Sequence, residues 1–241
     1  MGFPDLPSAF SLSYTSAVAA EKGKLVIKSL KEQVYDYLRQ QFQKHRLQPG
    51  ETINMDATAR MLGVSRTPLR DALIQLEMEG FVTISPRRGI FVNSLPLEEI
   101  REFYQVIGAL ESAALLSSFP KLGAAGVKKM DALNRQMQKA IDAGDFDLFY
   151  EKNLRFHDAF IAPCGNRNLA RILDHLKKRL YDFPQKRQWI KEWEQSSIRE
   201  HQEIVDFLAA GDPQSAALFL RDVHWSYAVQ EKYIRRYYGD S

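Results

Sequence analysis

The stretch Met55–Val92, MDATARMLGVSRTPLRDALIQLEMEGFVTISPRRGIFV, constrains this chain more than any other. In fewer than forty residues it changes its apolar period twice, and each change is marked by a residue that stops or starts an element. Met55–Met61 reads as a short helix, and Gly63 follows it where a left-handed backbone costs little. A further helix then starts either with Ser65 as its cap or with Thr67 as cap and Pro68 at the first helical position. Leu69, Ala72, Leu73 and Leu76 form its buried stripe, and Gly80 follows its end. Phe81–Ile84 and Ile90–Val92 are β-prone runs joined by Ser85-Pro86-Arg87-Arg88-Gly89, a hairpin whose tight turn Gly89 permits. Upstream, Leu30, Val34, Tyr37, Leu38 and Phe42 give a helix over about Ser29–Lys44, broken by Gln48-Pro49-Gly50-Glu51.

Two helices, a turn and a basic hairpin form a winged helix-turn-helix layout, which predicts binding to double-stranded DNA. Arg66 and Arg70 lie four residues apart, off the buried stripe and near the amino end of the third helix. In a major groove both guanidinium groups can reach guanine O6 and N7 or phosphate oxygens. Ser65 and Thr67 can add hydroxyl contacts to the backbone, as can the free amides of the first turn. Arg87 and Arg88 would project from the wing toward phosphates or a minor groove. An isolated Arg-x-x-x-Arg is usually a solvated helix face, so the flanking elements carry the reading here.

At 241 residues the chain can fill two compact domains. The formal net charge is +3, and its distribution is informative. Leu25–Asn93 holds ten Lys/Arg against seven Asp/Glu, whereas Ser94–Ser241 holds 21 of each, so the excess lies in the proposed DNA-binding part. Cys164 is the only cysteine, which excludes an intrachain disulfide and a Cys-rich zinc site and favours a reducing, cytoplasmic setting. No apolar run is long enough to cross a bilayer, so no membrane is expected among the partners. The expected organisation is a poorly ordered tail over 1–24, a winged helix-turn-helix over 25–94 and a helical effector-binding and dimerisation domain over 95–241.

That second part keeps helical spacing throughout. Candidate helices are Leu97–Phe119, Ala124–Ala143, Asp145–Ile161, Arg167–Tyr181, Ile190–Ala210 and Pro213–Tyr238. Breaks fall at Pro120, Gly123, Gly144, Pro163-Cys164-Gly165, Pro184 and Gly211, with Asp145 and Asp212 as caps. The fold class is therefore mainly α, a winged helix-turn-helix with a small β wing followed by an all-α bundle of six or seven helices. Asn153 and His157 share a face at i,i+4; His201 opens an apolar repeat with Ile204 and Leu208, and His224 lies midway along the last helix. Three imidazoles and an amide oxygen could hold a divalent transition metal, although each histidine alone is more simply a satisfied core group.

Leu62–Leu73, Leu76–Phe81 and Pro86–Val92 resemble the GntR family of bacterial transcription regulators, with its pattern LGVSR-T-P-x-R-x-AL, then L-x-x-x-G-hydrophobic and p-x-x-G-x-x-V. The resemblance implies that Arg66, Thr67 and Arg70 contact an operator and that Gly89 lets the wing approach the DNA backbone. Ten positions before Arg66, where many relatives carry a charged residue, this chain has Asp56, which argues against a phosphate contact there. From Leu95 the chain resembles the FadR-type, or FCD, ligand-binding domain. Asn153-Leu-Arg-Phe-His157, Asn166-Arg-Asn-Leu169, His201-Gln-Glu-Ile204, Gly211-Asp212 and His224 match its pattern in order. The resemblance maps metal ligands onto Asn153, His157, His201 and His224, with zinc or nickel as the expected ion. It also implies a small organic acid or carboxylate as effector, and a homodimer.

Two departures alter that expectation. Asn153 stands where the pattern usually has Asp, giving an oxygen but no negative charge. Ile107, four residues before Glu111, stands where many relatives carry an arginine, which leaves Arg155 and Arg171 as candidate effector contacts. The expected function is a ligand-responsive regulator, more often a repressor in such families, reading a palindrome as a dimer. Two alternatives compete with it: a metal-dependent hydrolase using the three histidines, which lacks a base placed as in His-Glu-x-x-His, and a DNA-binding protein whose helical domain only dimerises.

Overall fold

The computed structural model describes residues 28–44, 46–183 and 189–239. The expected 1–24 tail and the break at Pro184 lie outside the described residues.

The amino-terminal part begins with α1 (Leu30–Gln43), closed by a capping box in which the Ser29 hydroxyl accepts from the Glu32 amide and the Glu32 carboxylate accepts from the Ser29 amide. The inward face of α1 carries Val34, Tyr35, Leu38 and Phe42. Tyr35 takes the buried place expected of Tyr37 because its hydroxyl donates to Glu79 at 2.5 Å, and Leu30 remains exposed. Strand β1 (Thr52–Ile53) was not foreseen, since two residues are too short to show an alternation. Helix α2 (Met55–Leu62) ends at Gly63 with φ 65°, the left-handed stop expected there. Helix α3 (Arg66–Met78) has Ser65 at its N-cap position, which resolves the choice between two starts. Leu69, Ala72, Leu73 and Leu76 are fully buried on its inner face. Strands β2 (Val82–Ser85) and β3 (Gly89–Val92) pair antiparallel, with Val82 opposite Val92, and β1 adds to the other edge of β3 in the order β1-β3-β2.

The rest is an all-α bundle. Helix α4 (Leu97–Asp142) runs on through Pro120 and is interrupted at Gly123, whose φ of 57° and ψ of 179° are non-helical. The expected pair of helices is thus one long element with a kink. Helix α5 (Phe146–Ile161) is capped by Asp145 and α6 (Arg167–Asp182) by Asn166, each side chain accepting a first-turn amide. Helix α7 (Lys191–Ala209) follows, then α8 (Pro213–Phe219), capped by Asp212 with proline at its start.

The expected continuous helix from Pro213 to Tyr238 is a misreading. A π-helical turn over Leu220–His224 and a bend at Trp225 separate α8 from α9 (Tyr227–Tyr238). The Trp225 amide reaches back five residues to the Leu220 carbonyl at 2.9 Å. Both His224 and Trp225 thereby face the interior as neighbours, which an unbroken helix with 3.6 residues per turn disfavours. Gly108 of α4 accommodates the turn, because a Cβ there would stand 2.9 Å from Trp225 Cβ.

The end of α6 joins the two parts. Asp182, buried, accepts from Arg39 and, at 2.6 Å, from Gln43 of α1. Phe183 stacks on Phe81 with centroids 5.6 Å apart, and Phe81 stacks in turn on Phe42. Arg179, one turn earlier, pairs with Glu99 of α4 and lies against Gly80.

Candidate functional site

Every residue expected to touch DNA is exposed. Ser65, Arg66, Thr67 and Arg70 at the start of α3 are exposed, as are Arg87, Arg88 and Gly89 at the hairpin tip. The Ser65 hydroxyl makes no capping bond, so it and the first-turn amides of α3 are left to an incoming acceptor. Arg66 is held by Asp56 of α2 at 2.6 Å. Asp56 therefore acts here as a support for an arginine. Arg87 adopts φ 64° and Gly89 φ 119°, and this tight turn holds both wing arginines out from the sheet.

The second site lies inside the bundle, where α5, α7 and the π turn converge. His157 and His201 are fully buried and His224 is 9% exposed. Their candidate ligand atoms all lie within 4.8 Å of one another. Nothing in the periodicity of three separate helices shows that they meet; the resemblance alone suggested it.

Two buried carboxylates that sequence reasoning passed over orient the rings. Glu111 of α4 accepts from His157 Nδ1 at 2.7 Å, from Trp225 Nε1 at 2.8 Å and from the Lys177 ammonium. Glu200 of α7 faces His224 Nδ1 at 2.8 Å and accepts from Gln230 Nε2 at 3.0 Å. An ionised carboxylate can only accept, so the proton sits on Nδ1 of each ring and the Nε2 lone pair is left for another partner. Burial pushes the His157 imidazole down to about 4, against the pull of Glu111, and holds His201 well below the ordinary range with its sister histidines adding to the effect. Burial works against the Glu111 carboxylate too, but His157 and Lys177 outweigh it and keep Glu111 well below the usual carboxylate range. Both histidines are thus neutral at pH 7, the state that ligates metal.

The atoms left over describe what this pocket lacks. Asn153 Oδ1, His157 Nε2 and both ring nitrogens of His201 are buried with no hydrogen-bond partner. Each unsatisfied group costs about 1–3 kcal/mol. Three imidazoles whose ligand atoms lie within 4.8 Å of one another, with the buried amide oxygen of Asn153 one helical turn from His157, fit a divalent transition ion such as zinc or nickel, which favours nitrogen donors, better than magnesium or calcium. Glu111 and Glu200 were legible only as charged residues at interior positions of helical repeats.

Beside the cluster is a cavity of about 80 Å³. Asn153, His224 and Glu200 form one part of its wall. The rest is mainly aromatic and includes all three tryptophans of the chain, Trp189, Trp193 and Trp225, with Tyr181 from the end of α6. Arg155 and Arg171 are exposed and neither lines this cavity; Arg155 instead pairs with Glu151 on the surface of α5. Ile107 is fully buried in the core. Among the described residues, no helix is long and apolar enough to cross a membrane.

The comparisons with known proteins agree with this anatomy. Residues 30–92 match the model of the gntR family of bacterial regulatory proteins, and residues 102–223, half of the chain, match the FCD domain. An uncharacterized HTH-type transcriptional regulator of Bacillus subtilis, YdhC, is 28% identical over 60% of this chain, a match that spans 65% of that protein's length. The HTH-type transcriptional repressor RspR of Escherichia coli is 24% identical over 75% of this chain and 79% of its own. A putative GntR transcriptional regulator from Rhodococcus sp. RHA1 has the same fold, with a TM-score of 0.69 at 20% identity over 85% of this chain and 97% of that one. The chain belongs to the GntR family of bacterial regulatory proteins and carries an FCD domain, and it is a DNA-binding transcription regulator.

Proposed function

We propose that the protein is a cytoplasmic, ligand-responsive repressor that binds a palindromic operator as a homodimer and holds zinc or nickel through His157, His201, His224 and Asn153. The observation that carries this reading is the set of buried, unpartnered ligand atoms on Asn153, His157 and His201, beside a cavity that Asn153 and His224 line. A bound ion supplies a fixed positive charge that can receive an oxygen of a small organic acid. Asn153 adds no charge of its own, so more of that positive potential is left for the effector. Since neither Arg155 nor Arg171 lines the cavity, the ion is the natural anchor for a carboxylate. A hydrolase reading is weaker, because Glu111 and Glu200 are each committed to a histidine Nδ1 and neither is free to act as a base.

The end of α6 offers the route from effector to DNA. Tyr181 lines the cavity, while the next two residues, Asp182 and Phe183, grip α1 and Phe81. A ligand that favours one position of Tyr181 therefore biases the placement of the recognition helix, provided its affinity differs between the two states. Two α3 helices in a dimer would read half-sites about one helical turn apart or less.

Selection of genomic fragments, followed by fluorescence anisotropy at fixed salt, tests the reading. Arg70→Ala is expected to lose about 1–3 kcal/mol of discrimination between selected and scrambled duplexes, with unchanged helical content. Equal, sequence-independent affinity of both proteins would refute operator reading by α3.

A further inference from the structure

The cavity beside the histidines has an acidic and aromatic wall. Among the described residues, no lysine or arginine lines it. The nearest buried ammonium, Lys177, is engaged by Glu111 behind the Trp225 ring and is not part of the lining. Two carboxylates do line it. Glu200 is engaged by His224, Gln230 and Ser196. Glu194, six residues earlier on α7, has no side-chain hydrogen bond and no ion pair among the described residues. Burial alone raises its carboxyl, to about 8. Tyr104 and Tyr237 line the same cavity, and burial holds both phenols well above their ordinary range.

The aromatic groups around it are themselves fixed. Trp193 donates through Nε1 to Gln230 Oε1 at 3.0 Å, and its ring meets Tyr237 edge-on at 5.9 Å. Trp189 stacks on Phe146 with centroids 5.4 Å apart. Aromatic rings and a carboxyl without a partner among the described residues thus share one wall. Such a wall suits a cation, which gains from ring quadrupoles and from the ion pair together. A volume of about 80 Å³ limits the guest to a few heavy atoms.

We infer that the effector carries a protonated amine, received by Glu194 within the aromatic wall formed by Trp193, Trp189 and Tyr237. This rests on the reading of the cavity as the effector site and narrows its ligand to a small amino acid-like zwitterion. The carboxylate end faces the histidines and the ammonium end faces α7. Ammonium binding draws the Glu194 proton off, so binding near pH 7 releases protons to solvent.

The three tryptophans make the site its own reporter. Fluorescence of zinc-loaded and chelator-treated protein is titrated with 3-aminopropanoate, butanoate, succinate and propylammonium, which differ in the group placed opposite the carboxylate or in lacking it. The ammonium in 3-aminopropanoate is expected to tighten binding at least about tenfold over butanoate and succinate, the scale of one desolvated cation contact. Glu194→Gln is expected to abolish that preference, bringing 3-aminopropanoate and butanoate to equal affinity. Affinity of 3-aminopropanoate is expected to rise with pH through about 8, whereas an anion accepting a bond from protonated Glu194 would show the opposite slope. Succinate or butanoate binding as tightly as 3-aminopropanoate, a preference that survives Glu194→Gln, or no response to either amine overturns the inference. Propylammonium needs no ion, so its binding to chelated protein separates the two claims. If it binds but 3-aminopropanoate gains nothing from zinc, the ion-anchored effector fails alone. If butanoate and succinate bind only with zinc and the amine adds nothing, the ammonium site fails alone.

Discussion

The two halves of this regulator keep their functional groups in opposite places. In the DNA-binding half the working side chains are exposed, and a small apolar core of Leu38, Phe42, Leu69, Leu73, Leu76 and Phe81 lies behind them. In the helical half the working side chains are the core: His157, His201 and Glu111 are completely buried. A surface site can lose a residue and leave the fold intact. A site built into a core carries folding and sensing in the same atoms, so its variants change both.

The largest effect should follow from that difference. Glu111→Ala removes the acceptor shared by His157, Trp225 and Lys177, leaving a buried ammonium without a counter-charge. Loss of one partner from such a pair costs about 3–5 kcal/mol, measured as a fall in the urea midpoint at constant slope. A surface variant such as Arg66→Ala should stay within about 0.5 kcal/mol. Similar midpoints for the two would erase the contrast between the halves.

The smallest effect belongs to the wing. Replacing Arg87 and Arg88 together by alanine should weaken duplex binding across sequences and flatten its salt dependence by roughly one to two ion equivalents. Stability should be unchanged, since both side chains are exposed. An unchanged slope would mean that the hairpin tip points away from DNA.

The same contrast explains what could be read from the sequence. The helix-turn-helix is local: a stop at Gly63, a start at Ser65, a stripe four residues deep and a glycine turn, all within one short window. Its one omission, β1, is a two-residue strand made by pairing with β3. The bundle's helices were legible from apolar periodicity and from the caps Asp145 and Asp212. Its chemistry was less so. His157 meets Glu111 across 46 positions, and Trp225 reaches the same carboxylate across 114. No local pattern records a contact of that range. The π turn at Leu220–His224 escaped as well, because its residues are compatible with an ordinary helix and only packing against Gly108 distinguishes the two. Asp182 and Phe183 lie just past the helix end expected at Tyr181, yet they fasten the halves together.

The central claim is that the buried histidines form a metal centre, and titration of chelator-treated protein with zinc and nickel by calorimetry tests it most directly. The account predicts one ion per chain for the wild type, loss of binding and of thermal stability together in His201→Ala, and tighter binding in Asn153→Asp, where a carboxylate replaces the amide. No stoichiometric binding by the wild type would contradict the metal centre outright, and binding unaffected by His201→Ala would contradict its ligand set.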